Sequence, residues 1–169
     1  DAPVKLSFGY ELKDAAVPIA NIVEEEAKVV IQGKVFAFDG AKELKNGMVL
    51  YTFCLTDLTD SISVKLFAKT KEDQKAMTLL ENGKHLKGRG RVEYDRFMNP
   101  PELTVMATDL NEIAAPPERM DDAEEKRVEV HLHTTMSPMD GITSVDQYIK
   151  RAAKWGHKAI AVTDHNAVQ

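Results

Sequence analysis

The chain has 169 residues, 43% of them hydrophobic and 29% charged, and a net charge of −5. That is room for one good core, or for one small domain and part of another, and the acidic balance excludes nucleic-acid binding by bulk charge alone. The single cysteine, Cys54, excludes an internal disulfide and suits a reducing cytosol, so a cytoplasmic location is expected.

The opening DAPVKLSFGYELKD has neither a basic nor an apolar leader, so no signal peptide is expected. It also lacks an initiator Met, which points to a fragment or a processed chain. No apolar run approaches the length of a membrane span, so no membrane partner is expected. In VPIANIVEEEAK, Ile19, Ile22 and Val23 fall at helical spacing, which predicts a short helix closing a lead-in over residues 1–28.

The period then changes to two. VVIQGKVFAFD, MVLYTFCLTD and SISVKLFA alternate apolar and polar residues, and Asn46-Gly47 is a turn signal between the first two. KTKEDQKAMTLLENG reads as a helix over Lys69–Gly83, with Gly83 as its stop. KHLKGRGRVEYD is a fourth strand with glycines at 88 and 90, where a small barrel would bend, and ELTVMATDLNEI is a fifth after Asn99-Pro100-Pro101. Three strands, a helix and two strands match the five-stranded OB barrel over residues 29–113; another small β-barrel or half a sandwich is the alternative.

AAPPERMDDAEEK, residues 114–126, reads as a linker whose acids are solvated. In residues 127–169 the strand KRVEVHLH, a helix over SVDQYIKRAAKWG capped by Thr143 or Ser144, and the apolar strand KAIAVTDH make one βαβ unit. The fold class is therefore mostly β plus α/β. One βαβ unit cannot bury its own faces, so it reads as the opening of a larger α/β domain.

His131 and His133, two apart on a strand, point to one face. His165 ends the next strand, and strand ends in a parallel α/β sheet gather at one edge where ligands bind. With Asp140 in the intervening loop, the set suits zinc, manganese or iron. The bland alternatives are a surface His-x-His pair and a turn aspartate in Met-Asp-Gly. Asp164 reads as a metal ligand or as a partner to a ligand histidine. Ser137 reads as a loop hydrogen-bonder, and His157 as structural or exposed.

His131-Leu-His133-Thr, Ser137-x-x-Asp140 and Thr163-Asp164-His165-Asn166 resemble motifs I and II of the PHP (polymerase and histidinol phosphatase) superfamily. The wider run EKRVEVHLHTTMSPMDGITSVDQYIKRAAKWGHKAIAVTDHNAVQ is similar to the PolC-type branch of replicative DNA polymerase III, as are KVVIQGKVF, YTFCLTDLTDSISVKLFAK and TDLNEIAAP. The resemblance implies an OB domain followed by an incomplete PHP β/α barrel. It implies His131, His133, Asp140 and His165 as ligands of divalent metal, zinc first and manganese second, with Asp164 adjacent. It further implies a DNA-directed DNA polymerase whose other domains, exonuclease, magnesium site and sliding-clamp and replisome contacts lie outside this chain, so that the chain alone is expected to be inactive. A stand-alone PHP phosphoesterase and a pure nucleic-acid-binding module are the rivals.

OB folds bind single strands across their second and third strands with help from the loops 1–2 and 4–5. Lys65 and Phe67 share the outer face of the third strand. The 4–5 loop offers Tyr94, Arg96 and Phe97; Lys87, Arg89 and Arg91 alternate on the fourth strand; loop 1–2 offers Lys42 and Lys45. Of these, Lys65, Phe67, Arg89, Tyr94, Arg96 and Phe97 are the expected contacts to single-stranded template. The alternative is that the rings pack under neighbouring domains and the lysines are ordinary surface.

Overall fold

The computed structural model describes residues 4–166; residues 1–3 of the lead-in and 167–169 of the C-terminal piece lie outside the described residues. It divides into two units, Asp1–Pro116 and Pro117–Gln169.

The alternating segments of the first unit become β2 (Glu26–Phe36), β4 (Val49–Thr56), β5 (Ser61–Ala68), β6 (His85–Asp95) and β7 (Glu102–Glu112), with β1 (Ser7–Phe8) and β3 (Ala41–Glu43) added at the margins. The five long strands close a ring in the order β2–β4–β5–β7–β6 and back to β2. Every contact in the ring is antiparallel except β5 with β7. A closed ring with its third and fifth long strands parallel is the OB barrel. All eight residues of β4 pair with β5, whereas β2–β4 and β5–β7 pair over three residues each.

Alternation puts Phe53, Leu55, Val64, Leu66, Leu86, Val105 and Leu110 inside, all essentially inaccessible. Gly90 stands where β6 meets the bulge in β7. A Cβ there would lie 2.3 Å from the Met106 carbonyl oxygen, so only glycine lets the two backbones approach this closely.

The expected lead-in helix is absent. Its residues form one 3-10 turn over Ile19–Asn21, and β2 already begins at Glu26, opposite Val92. Ile19 and Ile22 both enter the barrel core while Val23 stays exposed, so the apolar spacing reflects two anchors and not a helical face. Upstream, β1 pairs with the end of β7, and the Leu6 and Leu12 amides donate to the Glu112 and Asn111 side chains.

The helix expected over Lys69–Gly83 is shorter, α1 at Lys71–Met77. Thr70 Oγ1 accepts the Asp73 amide at 3.1 Å and Asp73 returns the bond to the Thr70 amide, a capping box that starts it firmly. It ends early because the Gly83 amide donates to the Val35 carbonyl, which turns the chain into β6. Met77 and Leu80 plug one end of the barrel core.

In the second unit, α2 spans Val145–Trp155, begins after Ser144 and ends on left-handed Gly156 at φ 79°, where the sequence places both signals. The two strands expected beside it reduce to one parallel bridge, Glu129 with Ile160. The Ala161 and Thr163 amides donate to the Glu129 and Leu132 carbonyls at 2.8 Å. Two parallel segments with no further neighbour do not sustain a longer ladder.

The expected linker is not merely solvated in its middle part. Glu118 pairs with Lys154, the Trp155 indole donates to the Arg119 carbonyl at 3.0 Å, and Asp121 stands 3.0 Å from His157 Nε2. Residues 118–121 are therefore strapped to the end of α2, and His157 is structural. Among the described residues no helix is long and apolar enough to cross a membrane.

Candidate metal centre and nucleic-acid groove

Two short hydrogen bonds between the 129–132 and 160–163 segments bring the ends of both to one edge of the second unit. There His133, Asp140 and His165 each offer a donor atom, all within 4.8 Å of one another. His165 Nε2 is 2.7 Å from Asp140 Oδ2, and His133 Nε2 is 3.8 Å from the same oxygen. The His133 and His165 rings stack at 4.6 Å. The hydrogen bond from His165 holds the Asp140 carboxyl below the usual carboxylate range, with the neighbouring imidazoles adding to it.

His131 touches this set without joining it. Its Nε2 is 2.8 Å from His133 Nε2, but it is not among the three groups that converge. Asp164, expected as a ligand or a partner, does not converge with these three groups. Its carboxylate is nearly buried and accepts the Thr134 amide, the Thr134 hydroxyl and the Ser137 hydroxyl, each at 2.7 Å. Burial alone would raise this carboxyl; the bonds from Thr134 and Ser137 outweigh it and leave it below its usual value. Ser137, fully buried, also accepts the His165 amide at 3.0 Å.

Asp164 and Ser137 thus lock the loop bearing Asp140 to the segment end bearing His165. Gly141 completes the lock: a Cβ there would sit 2.0 Å from the Thr134 carbonyl oxygen. Sequence reasoning singled out Ser137 and Asp164 but gave no role to Thr134 or Gly141. The local signals for these were the place of Thr134 at the end of His131-Leu-His133-Thr and of Gly141 directly after Asp140.

Two imidazoles and one carboxylate are the donor set of three-ligand zinc sites that keep a position open. The chemistry of the set fits a divalent transition ion. His133 Nδ1 is buried with no hydrogen-bond partner among the described residues, whereas ligand histidines usually have that nitrogen bonded.

In the barrel, Lys65, Phe67, Tyr94, Arg96 and Phe97 line one groove of about 330 Å³ on the outer face. Phe97 is 97% exposed and Tyr94 47%, so both rings are offered to solvent rather than packed away. The same groove holds Glu25, Glu93 and Asp95, and each is engaged. Glu25 accepts the Tyr94 amide, Glu93 pairs with Arg91, and Asp95 pairs with Lys65.

Arg89 lies apart from this groove. It is bonded at 2.9 Å to Asp109, a carboxylate only 3% exposed that also accepts the Tyr10 amide and the Thr108 hydroxyl. Arg89 and Lys65 were expected as contacts to the template strand; the structure pairs both with carboxylates, because a nearly buried acid needs a partner.

Residues 129–169 match the PHP domain family. The chain is 49% identical over 167 residues, 98% of its length, to DNA polymerase III PolC-type from Halalkalibacterium halodurans, and 50% identical over 157 residues, 92% of its length, to the same protein from Staphylococcus haemolyticus. It spans 11% of each of these relatives. Among solved structures it is similar to the second OB-fold domain of replication protein A from Methanococcus maripaludis, at 19% identity and a TM-score of 0.46, over 62% of this chain and 100% of that one. Over nearly its whole length this chain is therefore similar to PolC-type DNA polymerase III, with a barrel in its first unit and a PHP domain match in its second.

Proposed function

We propose that this chain is a segment of a replicative DNA-directed DNA polymerase in which the OB barrel, residues 29–113, binds the single-stranded template, and the PHP portion, residues 127–169, contributes ligands to a divalent metal ion. The supporting observation for the barrel is the one groove that gathers Phe67, Tyr94 and Phe97 with Lys65 and Arg96. Flat rings stack on bases of any sequence, and cations meet phosphates.

Because most cations nearby already have carboxylate partners, binding rests on stacking more than on charge. Arg96 and Lys69 have no carboxylate within 4.0 Å among the described residues. Two phosphate contacts give a salt slope of about −1.4, so affinity for an oligonucleotide falls roughly sevenfold between 50 and 200 mM salt. Titrating fluorescein-labelled oligo(dT) into the chain at both concentrations tests this. No binding at 50 mM salt sinks the template reading.

At the metal centre His133, His165 and Asp140 hold the ion, which is zinc before manganese because two of three donors are imidazoles. A bound divalent ion supplies Lewis acidity toward a phosphoryl oxygen and acidifies a bound water. The chain's own part is to fix the three donors through the Asp164–Ser137–Thr134 bonds. Polymerisation with magnesium, the exonuclease, and contacts to a sliding clamp and other replisome proteins in the cytoplasm fall to the rest of the longer protein. A stand-alone phosphoesterase is the rival reading; turnover of a phosphoester by this chain with Zn²⁺ or Mn²⁺ would favour it.

A further inference from the structure

On the outer face of β4 and β5, Leu50 stands opposite Phe67 and Thr52 opposite Lys65; the next outward pairs are Cys54 with Ser63 and Thr56 with Ser61. The groove that carries the exposed rings opens beside Lys65 and Phe67. Beyond Lys65 the face is a floor of short, uncharged side chains, with Cys54 Sγ 3.8 Å from Ser63 Oγ.

β2 borders this floor on the side away from β5. It joins β4 through Phe36 opposite Cys54 and Lys34 opposite Thr56. Val35 between them is buried, so by alternation both side chains face outward, and Phe36 is 39% exposed. Gly33 permits this seam, since a Cβ there would lie 2.5 Å from the Thr56 carbonyl oxygen. Lys34 differs from Lys65 and Arg89 in having no carboxylate within 4.0 Å among the described residues.

We propose that Phe36 and Lys34 form a second nucleotide-binding station on β2, where a base stacks on the Phe36 ring and the adjoining phosphate meets Lys34. This rests on the single-strand reading above and adds contacts outside the second and third long strands. Cys54 and Thr56, the neighbours across the seam, are too short to cover the ring, so a flat base has access to it. Neighbouring strands lie about 4.8 Å apart, which puts Phe36 about 10 Å across the face from β5. A single strand held at the groove and laid over the floor reaches that far. The outward side chains that it crosses, Thr52, Cys54 and Ser63, carry no charge to repel a phosphate. The station repeats the composition of the groove, a ring beside a cation, which is what a base and its phosphate require.

The experiment measures fluorescence anisotropy of a labelled oligo(dT) of about twelve nucleotides at 50 and 200 mM salt. Phe36→Ala is expected to weaken binding at least about fivefold with the salt slope unchanged, and Phe36→Trp, which keeps a ring, to restore it. Lys34→Met is expected to flatten the slope by about 0.7, the share of one phosphate contact on a single strand. Lys28→Met makes the same change of charge on β2 at a cation already 3.9 Å from Asp14, and is expected to keep the parent slope. A smaller loss in Phe36→Ala, or a slope in Lys34→Met no flatter than in Lys28→Met, overturns the station and leaves the groove standing. If the parent chain binds no oligonucleotide at 50 mM salt, the single-strand reading itself falls and the station with it.

Discussion

Lys65 Nζ stands 2.5 Å from Asp95 Oδ2, and the other oxygen of that carboxylate accepts the Phe97 amide at 3.1 Å. A cation at the middle of β5 is thereby tied to the loop that carries the outermost ring of the groove. Asp95 is 8% exposed, so neither of its bonds is replaced cheaply by water. Asp95→Ala leaves Lys65 without its partner and frees the Phe97 turn. It is expected to lower stability by about 1–3 kcal/mol and to weaken oligonucleotide binding as well. Urea denaturation combined with anisotropy checks both, and a Lys65→Met, Asp95→Ala cycle isolates the pair.

The same carboxylate belongs to an acid-sensitive group. The Lys65 hydrogen bond holds Asp95 below its usual value, and the Leu6 amide followed by Lys84 does so for Glu112. For Asp109 burial works the other way, and bonds from the Tyr10 amide, Thr108 and Arg89 overcome it. A carboxyl with a depressed folded value adds stability that is fully present above its unfolded value, about 4, and is lost as the pH falls through the folded one. Denaturation midpoints of the barrel unit are expected to be flat from pH 7 to 5 and to fall steadily below pH 4. Asp95→Asn is expected to make that fall shallower; an equal slope would contradict the assignment.

Removing the lock around the metal donors is expected to weaken metal binding without touching a donor. Ser137→Ala deletes the hydroxyl that donates to Asp164 and accepts the His165 amide. Gly141→Ala pushes a methyl into the Thr134 carbonyl and displaces the Asp140 loop. Supporting bonds of this kind are worth about 10–100-fold in metal affinity. Titration with Co²⁺, followed by its visible absorption, measures the affinity and the geometry together. A Ser137→Ala chain with parent affinity and spectrum would show that the lock has no bearing on the donors.

Deleting donors separates the converging set from its neighbour. His133→Ala, Asp140→Ala or His165→Ala is expected to abolish Co²⁺ binding at micromolar metal, whereas His131→Ala, outside the convergent three, is expected to weaken it less. Equal losses in all four would place His131 in the set.

Hydrogen exchange distinguishes the two units. The Ala161 and Thr163 amides flank an isolated bridge, while Gly88 and Arg89 sit in a strand paired on both sides. Ala161 and Thr163 are expected to exchange much faster than the β6 amides. Comparable protection would mean that the bridge is more cooperative than its few bonds indicate.

The barrel was legible because period-two alternation runs through β4, β5 and most of β6, and because Asn46-Gly47 is a turn that the chain uses, with Gly47 at φ 78°. The lead-in was not legible. Ile19, Ile22 and Val23 fit a helix locally, but what decides the matter is remote: the Ile19 amide donates to Asp57, and β2 starts at Glu26 opposite Val92 of β6. The convergence of His133, Asp140 and His165 was legible, since strand ends gather at one edge. The bonding of Asp164 was not, because an aspartate beside His165 has the same sequence whether it faces the converging groups or turns inward to Thr134 and Ser137. The ion pairs of Lys65 and Arg89 were hidden for a similar reason: Asp95 stands thirty positions from Lys65, and Asp109 meets Arg89 only in the particular register of β6 against β7.

The ring is unevenly stitched. β4 and β5 are joined along their full length, and β6 is joined at length to both β2 and β7, but these two blocks meet only through the three-residue ladders β2–β4 and β5–β7. The barrel is thus a hairpin joined to a three-stranded plate along two short seams, and those seams are where it is expected to open first, ahead of the fraying of one strand after another.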